Sequence, residues 1–84
     1  MEERWVVRAT YRPKSCSERM AVDGQLAALA GTCPDSSGMG LGERDHEWDC
    51  KTEVEAKALV EKLEPAKTNL SFWKEEDDGT KRTI

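Results

Sequence analysis

The sequence predicts an α+β fold, with two helices on one face of a mainly antiparallel sheet of three to four strands. Three observations predict it. Period-two alternation marks strands at 3–12, 43–50 and 69–75, because successive strand side chains point to opposite faces. Apolar residues at helical spacing mark helices over 16–30 and 53–64. The order strand, helix, loop, strand, helix, strand then favours helices packed together against a common sheet.

Residues 3–12 read as a strand, with Trp5, Val7, Ala9 and Tyr11 on one side and Arg4, Val6, Arg8, Thr10 and Arg12 on the other. Pro13 ends it by removing a ladder donor. Ser15 followed by Glu18 is a capping-box pattern opening the first helix. Val22, Leu26 and Leu29 form its stripe, with Met20 and Ala30 as candidates to widen it, and Gly31 is its stop. Asp23-Gly24 weakens its middle and offers a break point, since interior Gly costs about 1 kcal/mol relative to Ala.

Residues 31–42 are rich in turn formers, including Gly38, Gly40 and Gly42, and read as a mobile Gly-rich loop over 32–42, with a short irregular strand at most near Thr32-Cys33. In the next strand Arg44, His46, Trp48 and Cys50 share one side, and Glu43, Asp45, Glu47 and Asp49 share the other. Thr52 and Glu55 cap the second helix, Ala56, Leu59, Val60 and Leu63 form its stripe, and Pro65 ends it. Leu70 and Phe72 mark the inner side of the third clear strand, and Asp78-Gly79 predicts a C-terminal hairpin over 69–84.

This order resembles the ferredoxin-like split βαβ arrangement, in a variant whose regular second strand is replaced by the Gly-rich loop. The likeness is one of topology and carries no function, because that fold hosts many unrelated ones. All 84 residues read as one small domain.

Thirteen basic against seventeen acidic residues give a net charge of -4. Direct nucleic-acid binding is not expected, since its affinity comes largely from basic charge. No run approaches the roughly 18 apolar residues of a membrane span, and Met-Glu-Glu-Arg is unlike a signal peptide. A cytoplasmic protein with no membrane association is the expectation. Three cysteines, Cys16, Cys33 and Cys50, are an odd number and suit a reducing compartment.

No motif carries a recognised chemistry. The glycines at 38, 40 and 42 precede a strand, so they match neither a dinucleotide fingerprint nor a P-loop, although successive amides beside Arg44 offer an anion nest. His46 with Cys50, Cys16 and Cys33 supplies thiolate and imidazole ligands at a spacing that matches no common zinc module. The alternative is that the thiols pack in or beside the core and His46 flanks it. A Cys–His pair would meet in space rather than in sequence, but one histidine and no evident Ser-His-Asp set argue against an enzyme.

No catalytic residue, metal or cofactor is therefore assigned. With a central first strand, Arg4, Arg8 and Arg12 would lie beside Glu43, Asp45, Glu47 and Asp49 as a self-neutralising ladder or a charged docking surface. Trp73 falls on that same open face, either as an interface anchor or stacked on arginine stems. The expectation is a non-catalytic module that binds another protein through Trp73, Arg8, Arg4, Glu47, Asp45 and Arg44. The alternatives are a phage-type inhibitor of a nucleic-acid enzyme acting through acidic surface, and a degenerate Cys/His metal or thiol site.

Overall fold

A computed structural model describes residues 4–75. The chain runs β1 (Arg4–Tyr11), α1 (Cys16–Ala30), β2 (Ser36–Gly40), β3 (Glu43–Cys50), α2 (Glu53–Leu63), a single 3-10 turn (Glu64–Ala66) and β4 (Asn69–Glu75). The four strands form one antiparallel sheet in the order β2-β3-β1-β4. β1 is central, and both of its edges are paired along its length. The predicted hairpin beyond Glu75 lies outside the described residues.

Both helices begin as the capping residues predict. The Ser15 hydroxyl accepts the Glu18 amide at 3.1 Å, and the Thr52 hydroxyl accepts the Glu55 amide at 3.1 Å. Each glutamate reaches back one residue beyond the cap, accepting from the amides of Lys14 and Lys51 at 2.5 and 3.0 Å. These contacts satisfy donors that a helix N-terminus otherwise leaves open. α1 ends at Gly31, whose φ of 80° suits the left-handed cap. It does not break at Asp23-Gly24, because Asp23 is held by side chains from β1 and β3.

The core lies between the sheet and the helices. Val7 and Ala9 of β1, Trp48 of β3, Leu26 of α1, and Ala56 and Leu63 of α2 are buried. Trp5, Tyr11, Leu70, Phe72, Val22, Leu29 and Ala30 close around them. Met20 departs from the expected stripe and stays 67% exposed. Val6 is buried although it lies on the opposite side of β1, flanked by Asp49 and Trp73 on the neighbouring strands.

The largest departure from the sequence reading is β2. Ser36–Gly40 is not an irregular loop but a strand paired residue for residue with β3, from Ser36 opposite Glu47 to Gly40 opposite Glu43. Its side chains have little strand propensity, so the backbone ladder and the partner strand impose the conformation. A two-residue turn at Leu41-Gly42 closes the hairpin, with φ of 52° and 79°. Two positive values in succession mark a type I′ turn, whose twist matches that of the flanking strands.

Upstream of β2 the chain is pinned to β3. The Asp35 amide donates to the Glu47 carbonyl at 2.8 Å, the Asp49 amide donates to the Asp35 carboxylate at 2.7 Å, and the Trp48 indole donates to the Thr32 carbonyl at 3.3 Å.

Candidate functional site

The two sides of the sheet carry two different polar constellations. Beneath the helices, Arg44, His46 and Cys50 of β3 share a face with Trp48, and Arg44 and His46 are its polar members. Asp23 enters from the middle of α1 and gathers them. His46 Nε2 lies 2.7 Å from Asp23 Oδ1, and Arg44 Nε and Nη2 both lie 3.2 Å from Asp23 Oδ2. The Tyr11 hydroxyl donates to the same carboxylate, and Arg19, one turn earlier on α1, approaches it at 3.6 Å. On the far side of the imidazole, Nδ1 lies 2.7 Å from the hydroxyl of Ser37 on β2.

His46 is 3% exposed, with Tyr11 stacked at 6.5 Å and Trp48 tilted at 6.0 Å between ring centroids. Ser37 faces solvent from the edge strand. Three elements thus converge on one ring: α1 through Asp23, β2 through Ser37, and β1 through Tyr11.

The electrostatics follow from these partners. Burial alone would push the Asp23 carboxyl up, but hydrogen bonds from Tyr11, His46 and Arg44 outweigh it and hold the pKa below its ordinary value. Burial and the Asp23 charge push the Tyr11 phenol up, so it stays a donor. An ionised carboxylate only accepts, so Asp23 fixes the proton of a neutral His46 ring on Nε2 and leaves Nδ1 as acceptor. The Ser37 hydroxyl then donates to Nδ1.

The opposite face of the sheet carries the charge ladder. Arg8 Nη2 lies 2.8 Å from Asp45 Oδ2, and its Nε faces Glu47 at 3.5 Å. Arg4 reaches Asp49 at 3.2 Å and Glu75 at 3.9 Å. The hydrogen bond from Arg8 is the main reason that the Asp45 carboxyl sits below its ordinary pKa, and the Gly38 backbone contributes in the same direction. Gly38 makes that approach possible, since a Cβ there would meet Asp45 Oδ1 at 2.8 Å. Trp73 is half-buried among these charges, and its indole donates to Glu75 Oε2 at 2.9 Å.

Of the six residues singled out from sequence, Trp73, Arg8, Arg4, Glu47 and Asp45 fall on this face together. Arg44 does not. Period two places it with His46 beneath the helices, where Asp23 holds it and only 19% of its side chain is exposed. Its Nη1 donates to the Gly38 carbonyl at 3.4 Å, so it faces the glycine strand as a donor to backbone oxygen rather than beside a nest of amides. Arg12 also leaves the ladder, donating to the Leu41 carbonyl at the hairpin turn.

Asp23 and Ser37 were missed by sequence reasoning. Asp23 reads as a helix-weakening residue and Ser37 as part of a loop, and only the folded sheet brings both to His46. The Ser-His-Asp set that the sequence does not display is therefore present in space. The cysteines do not converge in the same way. Cys16 and Cys33 are exposed rather than packed at the core, and Cys50 is half-buried, its thiol pushed up by burial. No group of three or more His, Cys, Asp or Glu side chains suited to a metal ion occurs among the described residues.

A cleft of about 210 Å³ lies elsewhere, lined by Tyr11, Arg12, Lys14, Glu18, Lys67 and Thr68 among others. Among the described residues no helix is long and apolar enough to cross a membrane. A scan against protein-family models, a search of curated proteins and a search of solved structures each find no match to this chain.

Proposed function

We propose that this chain is a small ferredoxin-like interaction module that docks another protein on the open face of its sheet. The order β2-β3-β1-β4, with a helix after β1 and another after β3, supports the ferredoxin-like reading, because a split βαβ arrangement predicts that order.

The observation that carries the functional reading is the pattern on that face. Val6 and Trp73 sit side by side on paired strands, ringed by Arg4, Arg8, Asp45, Glu47, Asp49 and Glu75. An aromatic and arginine centre within a polar rim is the composition of an interface core. Acidic groups outnumber the two arginines there, so the partner surface it suits is basic, with an apolar spot to receive Trp73.

Acidic surface also underlies the alternative of an inhibitor that imitates a phosphate backbone. Its charges would need to stand unneutralised, whereas here Arg4 and Arg8 of the neighbouring β1 pair with Asp49, Asp45 and Glu47 of the acidic row. This pairing favours docking of a folded protein partner.

The test is chemical-shift mapping of the isotope-labelled chain titrated with a partner captured from its native source. Perturbations should centre on Val6, Arg8, Glu47 and Trp73 and should weaken as salt screens the charged rim. Perturbations centred on the outer faces of α1 and α2 would overturn the reading.

A further inference from the structure

The geometry points to Ser37 as a nucleophile, with His46 as its general base and Asp23 as the group that positions the imidazole, acting on small activated acyl donors such as aryl esters. Three features carry it. The Ser37 hydroxyl lies 2.7 Å from His46 Nδ1, within the range for direct proton transfer. The other ring nitrogen lies 2.7 Å from Asp23, which fixes the tautomer so that Nδ1 holds a lone pair toward the serine. The base is 3% exposed while the nucleophile is exposed, so the ring is held fixed within the fold and the hydroxyl beside it is open to substrate and water.

The two ring nitrogens exchange the places they hold in most serine hydrolases. The roles survive that exchange, because an imidazole needs only one nitrogen to take a proton and the other to be held.

The surroundings set the substrate class. Arg44 and Arg19 share the Asp23 carboxylate with His46, which divides the negative charge available to an imidazolium. No residue is assigned to stabilise a developing oxyanion, so the site suits esters whose leaving group departs easily. Ser37 sits on the open edge of β2, outside the residues lining the cleft, so selection rests on reactivity more than on fit.

In the step itself, Ser37 Oγ bonds to the acyl carbon as its proton passes to His46 Nδ1. The carbonyl electron pair moves onto oxygen, then returns to expel the aryloxide, which takes the proton from Nδ1. Ser37 is left as an ester. Water attacks that ester by the same route, releasing the carboxylic acid and restoring the hydroxyl.

The experiment treats the full chain with a fluorophosphonate probe, which transfers its phosphonyl group to activated serine oxygen with loss of fluoride. Intact mass and peptide mapping locate the adduct. One adduct per chain at Ser37 is expected, absent from Ser37→Ala and from urea-unfolded wild type, and retained in Ser36→Ala. Nitrogen-15 shifts of His46 in the untreated protein should show the proton on Nε2. No adduct, an adduct elsewhere, equal labelling of the unfolded chain, or a proton on Nδ1 would each overturn the assignment. Ser37 and the Val6–Trp73 patch lie on opposite sides of the sheet, so failure here leaves the docking surface untouched.

Discussion

At the scale of single residues, the molecule separates groups that hold the fold from groups that face outward. Val7 is fully buried at the centre of β1, opposite Trp48 on one side and Phe72 on the other. Val7→Asp places an unpaired charge there, at a cost of several kcal/mol against the small net stability of a domain this size. The variant should be unfolded by circular dichroism at room temperature, and a cooperative melt near that of wild type would contradict the core assignment.

Asp23 supports a prediction in pH. Its folded pKa is depressed, so the stability it contributes is present above the unfolded value, near pH 4, and is lost as pH falls through the lower folded value. Urea midpoints of wild type should fall below about pH 4 more steeply than those of Asp23→Asn. Parallel curves would mean that Asp23 is not ionised against its partners.

At the scale of elements, most of the structure is legible in the sequence, and the reason is local. β1, β3 and β4 carry alternating side chains, and both helices carry caps and stripes that secondary-structure formation itself requires. β2 is illegible because Ser-Ser-Gly-Met-Gly has no pattern of its own, and its strand state comes from pairing with β3. The polar hub is illegible for a related cause. Asp23, Ser37 and His46 lie on three elements, and Asp23 stays in helix against the weak Asp-Gly pair because its partners reach it from the sheet. Arg44 follows from period two alone, and its place beneath the helices was available from its side of β3.

The hairpin turn yields a prediction at this scale. Leu41 occupies a left-handed conformation, with φ of 52°, and is almost wholly exposed. A branched apolar residue is unfavourable in that region, whereas asparagine tolerates it and Asn-Gly is a preferred type I′ pair. Leu41→Asn should raise stability by about 0.5–1 kcal/mol, read as a higher urea midpoint with an unchanged slope. A lower midpoint would show that Leu41 makes contacts worth more than the backbone strain.

At the scale of the whole molecule, the sheet divides the work between its two faces. One face is covered by α1 and α2 and holds the apolar core with the Asp23 hub. The other presents Trp73, beside the buried Val6, within a ring of paired charges, where each exposed ion pair adds little to stability. The Arg4 and Arg8 pairs explain why a face with so many carboxylates is compatible with a folded sheet.

The most direct measurement of this division is a paired one on Trp73→Ala: its melting curve and its affinity for the captured partner. A half-buried side chain outside the helix-covered core should be removable with little loss of stability. If Trp73 is the anchor, binding should weaken by about 2 kcal/mol or more, roughly thirtyfold in Kd. A variant that fails to fold, or one that folds and binds its partner unchanged, would contradict the assignment of the open face as the docking surface.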